Sequence, residues 1–175
     1  MKASPLILGN NPAALAAQEI ASPVGALSLM ASDIGLCGLR PSAFQPPLAL
    51  STANVSAVQL QRATAFLAQA AAELSEYFAG TRREFSVPLA PQGTAFQQQI
   101  WQQLLALPFG ATVTYGELAK RIGNLKAARA VGAANGANKI AIIIPCHRVI
   151  GQQGKLTGYA WGLAMKQQLL TIEQV

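Results

Sequence analysis

A cysteine and a histidine stand side by side near the C-terminal end of this chain. His147 is the only histidine; it directly follows Cys146, after an apolar run over residues 140–144 and Pro145, and Arg148 comes next. A cysteine acts as a nucleophile in its thiolate form, and a nearby base or cation raises the thiolate population. Because neighbouring residues on a helical turn point in different directions, we expect a proton to pass between thiol and imidazole through a bridging water. An inert buried cysteine beside a surface histidine is the alternative.

A second pattern, over residues 114–136, predicts two helices joined by a short turn that contains glycine. Thr114 and Glu117 form a capping-box pair at the start of the first helix, and Gly123 is expected to end it. We expect Lys126 to begin the second helix. Two helices joined by so short a turn are typical of the helix-turn-helix motif of DNA-binding proteins.

One face of the second predicted helix is almost bare of long side chains. It carries a single cation among small residues: Arg129, Gly132, Ala133 and Gly136. Helices that read bases in the major groove carry several long polar side chains, so this face predicts close approach to a DNA backbone or minor groove, with Arg129 pushed into the base stack. Tight helix packing is the alternative, and nearby Lys120, Arg121 and Lys126 favour DNA.

The positive charge of the chain is concentrated in its second half. The net charge is +6, and residues 1–87 hold five basic and five acidic residues, whereas residues 88–175 hold eight basic and two acidic. A domain whose basic residues are in excess attracts polyanions. We expect the polyanion to be nucleic acid rather than an anionic membrane. No segment approaches the roughly 20 apolar residues of a membrane span, so we expect no membrane partner.

Cysteine usage predicts a reducing compartment, and we expect a cytoplasmic protein. Only Cys37 and Cys146 are present, which gives no disulfide framework. With a single histidine they cannot supply an ordinary structural zinc site, so we expect no metal.

The first half of the chain predicts a small sheet and a long helix. A short helix is expected at the N-terminus, capped by Asn11 with Pro12 in its first turn. Strands over residues 26–30 and 34–39 form a predicted hairpin, and residues 41–54 are expected to be a loop. A long amphipathic helix follows, with an apolar stripe from Ala63 to Phe78 and Gly80 as its C-terminal cap.

A domain boundary is predicted where two prolines and a glycine interrupt the pattern, between Val87 and Gly93. This is also the place where the charge balance changes, and we expect one domain over residues 1–90 and a second over 91–175. Thr94 and Gln97 then form a capping box for a further amphipathic helix that ends before Pro108.

Around Cys146 the sequence resembles the O6-alkylguanine-DNA alkyltransferases, also called methylated-DNA-protein-cysteine methyltransferases. The segment Pro145-Cys146-His147-Arg148-Val149 is similar to the active-site signature of that family. Further segments follow the order and spacing of the family: residues 76–80, 93–97, 115–119, 128–132 and 158–162. The resemblance extends over residues 22–173 and is densest after residue 76.

The resemblance implies an α+β fold. The N-terminal domain would be ribonuclease-H-like with a small antiparallel sheet, and the C-terminal domain mainly helical with a winged helix-turn-helix-like DNA-binding motif. It implies a DNA repair protein that transfers the alkyl group of O6-alkylguanine in duplex DNA, and of O4-methylthymine, irreversibly to Cys146. Each molecule would act once, as a monomer and without a cofactor.

The resemblance also implies a role for each matching residue of the reaction. Cys146 would accept the alkyl group, His147 would draw its proton through water, and Glu173 would orient the imidazole. Tyr115 would donate a hydrogen bond to the departing guanine. Asn138 would brace the helix against the active-site loop.

For substrate and DNA contacts, the resemblance implies two further sets. The pocket would be lined by Tyr159, Ala160, Trp161 and Val149. The DNA-binding residues would be Arg129, Tyr115, Ala128, Gly132, Ala133 and Lys126. Trp161 stands where several family members have glycine, which leads us to expect poor tolerance of bulky alkyl groups, and Lys139 stands where many have proline.

Three other classes of protein are compatible with parts of this pattern. A cysteine peptidase also uses cysteine and histidine, but it would need a histidine from a distant segment, and the chain has no second one. A helix-turn-helix repressor would leave the Pro-Cys-His-Arg segment without a purpose. An alkyltransferase-like protein that only binds lesions would lack the acceptor cysteine, and Cys146 is present.

Overall fold

The computed structural model describes residues 4–7, 13–44, 50–51 and 54–174. The chain divides into two compact units, Met1–Gln92 and Gly93–Val175. The limits 1–90 and 91–175 of the expected domains stay predictions. A small antiparallel sheet in the first unit and a mainly helical second unit confirm the α+β expectation.

The first unit contains a three-stranded antiparallel sheet in the order β1-β2-β3. The strands are β1 (Ala16–Ile20), β2 (Leu27–Ala31) and β3 (Leu36–Pro41). β2 and β3 form the predicted hairpin, with Leu29 opposite Leu39, and both side chains are fully buried. A turn of 3-10 helix over Ser42–Phe44 begins the predicted loop, of which residues 45–49 and 52–53 lie outside the described residues.

The prediction of an N-terminal helix that begins at Asn11 and Pro12 is wrong for residues 16–20. Asn11 and Pro12 themselves lie outside the described residues, and residues 16–20 form the edge strand β1. β1 pairs along its whole length with β2. Tertiary pairing therefore overrides the helical propensity of this alanine-rich segment.

Helix α1 (Ala57–Phe78) covers the sheet of the first unit. Ser56 and Gln59 form a capping box at its start. Gly80 adopts a positive φ of 75° just beyond the helix, a conformation that favours glycine at a helix end. The predicted stripe supplies the buried Ala63, Leu67 and Leu74, so this helix is confirmed as a core element.

The second unit consists of short helices and one pair of parallel strands. Its elements are α2 (Ala95–Leu105), β4 (Val113–Thr114), α3 (Tyr115–Arg121), α4 (Ala128–Gly136), β5 (Val149–Ile150) and α5 (Leu163–Ile172). The capping boxes predicted at Thr94 and Thr114 are both present. α4 begins two residues later than predicted, because Leu125–Ala127 form a 3-10 turn. Among the described residues, each helix is too short or too polar to span a lipid bilayer.

Candidate active site

Cys146 lies on a 3-10 turn, Cys146–Arg148, directly before β5. The segment over residues 140–145 that precedes it is buried throughout. Within this segment, Ile142 has a positive φ of 69°. A β-branched residue rarely adopts this conformation, so the surrounding contacts hold the segment in a strained shape. The residue Cys146 is only 2% exposed to solvent.

Asn138 connects the end of α4 to the cysteine segment through its side-chain amide. Its Nδ2 donates hydrogen bonds to Cys146 Sγ at 3.0 Å and to the carbonyl oxygens of Ile144 at 2.9 Å and Ile140 at 3.2 Å. Its Oδ1 accepts from the backbone amide of Ile140 at 3.0 Å. From α4 itself, Asn135 Nδ2 donates to the carbonyl of Cys146 at 3.3 Å. Asn138 thus lies between the end of α4 and the cysteine segment, and the bracing role that the resemblance implies for it stays a prediction.

The Cys146 thiol is strongly affected by its surroundings. Burial raises its pKa to about 11, although hydrogen bonds from Asn138 and Tyr159 and the charge of Lys166 act in the opposite direction. A thiol with so high a pKa is almost wholly protonated at neutral pH. The cysteine therefore needs a base before it can act as a nucleophile.

His147 and Glu173 form a buried pair that can supply a base and a carboxylate to orient it. His147 Nε2 lies 2.8 Å from Glu173 Oε1, and both side chains are fully buried. Burial lowers the pKa of His147, while the hydrogen bond and charge of Glu173 raise it. With Glu173 ionised, Nε2 carries the proton, which leaves Nδ1 as the basic nitrogen. Nδ1 is buried and has no hydrogen-bond partner among the residues that the structure describes.

Two buried cations, Arg148 and Lys166, lie beside this pair, and no sequence pattern assigns either of them a role. Arg148 binds Glu173 with Nε 2.7 Å from Oε2 and Nη2 3.0 Å from Oε1. Lys166 of α5 is fully buried and donates through Nζ to the carbonyl oxygens of Val149 at 2.6 Å and Thr157 at 2.8 Å. Burial lowers the pKa of Lys166, and the nearby Cys146 raises it. No spacing rule could have found these contacts, since they join distant segments.

A cavity of about 640 Å³ opens beside the cysteine. Its lining contains Tyr115, Ala128, Arg129, Gly132, Asn135, Gly136, Cys146, Thr157, Gly158, Tyr159 and Ala160. Of the predicted pocket residues, Tyr159 and Ala160 belong to this lining, whereas Trp161 and Val149 do not. Trp161 is half-buried and packs edge-on against Tyr159 with ring centroids 5.2 Å apart. Val149 is fully buried in β5, opposite Val113.

Tyr115 begins α3 and holds one wall of the cavity in place. Its hydroxyl donates to the carbonyl oxygens of Gly158 at 3.2 Å and Thr157 at 3.4 Å. Burial raises the pKa of this phenol, and the neighbouring Cys146 raises it further. Tyr115 therefore remains a neutral hydrogen-bond donor at physiological pH.

The predicted helix-turn-helix consists of α3, the turn through Gly123 and α4. Ala127, Val131 and Ala134 face the interior of the unit. The other face of α4 contributes Ala128, Arg129 and Gly132 to the cavity. Ala133 and Lys126 are exposed and lie outside the cavity lining. The DNA-contacting roles of all these residues stay predictions.

Two family models match the chain, and together they cover most of it. One, described as 6-O-methylguanine DNA methyltransferase, DNA binding domain, matches residues 95–175. The other, described as 6-O-methylguanine DNA methyltransferase, ribonuclease-like domain, matches residues 17–91.

Proteins of known name are similar over the same regions. A methylated-DNA–protein-cysteine methyltransferase of Mycolicibacterium paratuberculosis is 45% identical over 159 residues, 90% of this chain and 91% of that protein. One of Methanosarcina acetivorans is 58% identical over 108 residues, 62% of this chain and 69% of that protein. The crystal structure of Mycobacterium tuberculosis OGT in complex with DNA is also similar, with a TM-score of 0.76 and 44% sequence identity between the two protein chains. The match covers 90% of this chain and 92% of that chain.

Proposed function

Since the chain belongs to the 6-O-methylguanine DNA methyltransferase family, we propose that it repairs O6-alkylguanine in duplex DNA by transferring the alkyl group to Cys146. The observation that supports this most directly is the buried Cys146, which lines a cavity of about 640 Å³ while His147 and Glu173 form a hydrogen-bonded pair behind it. The lesion would enter this cavity as a flipped nucleotide.

The reaction is a nucleophilic displacement at the alkyl carbon. His147 Nδ1 takes the thiol proton through a bridging water, and Cys146 Sγ attacks the carbon. The new S–C bond forms as the C–O6 bond breaks, and the bonding electron pair goes to the guanine. A ring nitrogen of the guanine takes up a proton as the base leaves. Tyr115 favours this departure by donating a hydrogen bond, for which its hydroxyl must exchange its contacts with Gly158 and Thr157.

The resulting S-alkylcysteine is a thioether without a good leaving group at neutral pH. The two cysteines of the chain are Cys37, buried in β3 of the first unit, and Cys146. No second thiol adjoins Cys146 in the sequence to remove the alkyl group. We therefore propose that each monomer acts only once. The substrates that we propose are O6-alkylguanine and also O4-methylthymine.

Intact-mass measurement tests this function. After incubation with excess duplex DNA containing O6-methylguanine, the protein should gain one methyl group, and peptide mapping should place it on Cys146. Cys146→Ser should gain none yet still bind the DNA, because an alkoxide is far harder to generate than a thiolate near neutral pH.

The control for stoichiometry is Cys37→Ser, which should still gain one methyl group. Continued turnover beyond one methyl per molecule would contradict the single-use mechanism. Binding without any mass gain would instead identify a protein that recognises lesions and leaves them unchanged.

A further inference from the structure

Arg148 is buried at 6% exposure in the second unit, and the proposed reaction gives it no task. Each of its three guanidinium nitrogens has a partner. Nε and Nη2 donate to the two oxygens of Glu173, and Nη1 donates to the carbonyl of Leu107 at 2.8 Å. The guanidinium also lies over the ring of Phe109, 5.7 Å from its centroid. Such a planar fork fixes the plane of the carboxylate that it binds.

The same carboxylate orients the proposed base. Glu173 Oε1 accepts from both Arg148 and His147, and Oε2 accepts from Arg148 and from the backbone amide of Gly110 at 3.3 Å. Gly110 has a positive φ of 73°, and a Cβ at this position would lie 2.8 Å from the carbonyl oxygen of Glu173. Only glycine permits this approach without strain. The carboxylate is therefore held from three directions, with one oxygen towards His147.

We propose that Arg148 is a positioning residue for alkyl transfer, which acts through Glu173 by keeping this carboxylate ionised and turned towards His147. The inference rests on the proposed function, in which His147 is the base. A carboxylate buried beside an imidazole alone would be free to rotate or to take up a proton, because a buried charge needs a paired charge. Arg148 removes both alternatives.

The charged groups around Glu173 and His147 affect the pKa of both side chains. Burial raises the pKa of Glu173, but hydrogen bonds from His147 and Arg148 outweigh it and lower the pKa to about 2. At His147, burial lowers the pKa, Glu173 raises it, and the charges of Arg148 and Lys166 lower it. Arg148 thus favours an anionic Glu173 together with a neutral His147, which is the state that can accept a proton.

Loss of the guanidinium charge should therefore change the pH dependence of transfer. Without Arg148, the pKa of the Glu173 carboxyl and the pKa of the His147 imidazole both rise. Both changes deplete the reactive state as the pH falls. The acidic limb of the rate profile should move to higher pH, whereas a merely structural loss would scale the rate equally at every pH.

Single-turnover methyl transfer from duplex O6-methylguanine, measured between about pH 5 and 9, tests the proposal with two variants. In Arg148→Met we expect the rate constant to fall roughly 10- to 100-fold, as when partners that orient a functional histidine are removed. Its acidic limb should move up by about one pH unit or more. Arg148→Lys keeps the charge without the fork, so its rate should fall while its acidic limb stays near that of the wild type.

Three further measurements separate this proposal from its alternatives. Affinity for the lesion duplex should be the same in both variants as in the wild type. Arg62→Met, which removes an exposed arginine of α1, should leave the whole profile unchanged. Adding Arg148→Met to Glu173→Gln should slow transfer no further than Glu173→Gln alone, since Arg148 acts through Glu173.

A folded Arg148→Met with an unmoved acidic limb would overturn the proposal. Should that variant fail to fold, an Arg148→Lys protein with the wild-type rate would overturn it equally. If the wild type itself takes up no methyl group, the proposed function fails, which is a separate outcome.

Discussion

At the scale of single residues, Cys146 and His147, the proposed acceptor and its proposed base, have complementary protonation states at rest. Burial raises the pKa of Cys146 and lowers the pKa of His147, so the resting pair is a thiol and a neutral imidazole. A thiol is much less easily oxidised than a thiolate. A Cys146 that is held as a thiol at rest would therefore be protected from oxidation before it reacts.

Trp161 offers a test of how the cavity wall is supported. It lies behind Tyr159 and is not part of the lining, so we expect it to limit the cavity by restraining the tyrosine ring. Trp161→Gly should react faster with free O6-benzylguanine than the wild type, without a matching gain for O6-methylguanine in DNA, because an unsupported wall yields volume more easily. Competition kinetics with the two substrates measure this ratio.

Trp161→Phe serves as the matched control for that prediction. It keeps an aromatic edge against Tyr159, so its preference should stay closer to that of the wild type. A folded Trp161→Gly protein with an unchanged ratio would show that Trp161 does not restrict the cavity.

At the scale of elements, local signals predicted the helices well and long-range contacts poorly. The capping boxes at Thr94 and Thr114 and the apolar stripe of α1 depend on neighbours along one helix, and the structure contains all three. Strand β1 forms where the sequence predicts a helix, because its pairing with β2 is a tertiary effect. Its sequence carries no alternation strong enough to predict a strand.

The candidate site shows the same division between local and distant contacts. The active-site signature identifies Cys146 and His147, and the family resemblance adds Glu173. The contact of Arg148 with Glu173 crosses 25 residues of sequence, and Lys166 reaches Val149 across 17. No period or spacing predicts such pairs, since they depend on how α5 packs against the cysteine turn.

Helix α4 carries the next prediction, which concerns Arg129. This side chain is exposed at the cavity, on the face of α4 that is otherwise nearly bare. Arg129→Ala should slow repair of O6-methylguanine in duplex DNA far more than reaction with the free base. Extruding a base costs on the order of a few kcal/mol, and the arginine would hold the vacated space. Rates with both substrates, measured on the same protein, give the comparison.

Lys126→Ala provides a control for charge alone. Lys126 is exposed on the turn before α4 and lies outside the cavity lining, so its loss should weaken DNA binding without changing the ratio of duplex to free-base rates. Equal losses on both substrates in Arg129→Ala would contradict a role in base flipping.

At the scale of the whole molecule, burial divides the excess positive charge into two groups. Arg148 and Lys166 lie inside the second unit, where they bind Glu173 and backbone carbonyls. The exposed cations of that unit, among the described residues, are Lys120, Arg121, Lys126, Arg129, Lys139 and Lys155. Among the described residues of the same unit, Glu117 is the one exposed carboxylate side chain. Total charge therefore overstates the number of cations that can meet a phosphate.

This division limits how steeply DNA affinity can depend on salt. Each phosphate that a cation neutralises contributes a slope of about −0.9 to the plot of log affinity against log salt. Six exposed cations thus set a limit near −5, and the slope should be shallower because not all of them can face one duplex. Fluorescence anisotropy with an undamaged duplex over a series of salt concentrations measures it. Replacing Lys120, Arg121 and Lys126 by glutamine should make the slope shallower by up to about 3. As a control, Arg62→Gln on α1 should leave the slope unchanged. A wild-type slope clearly steeper than about −5 would mean that cations of the first unit also bind the DNA.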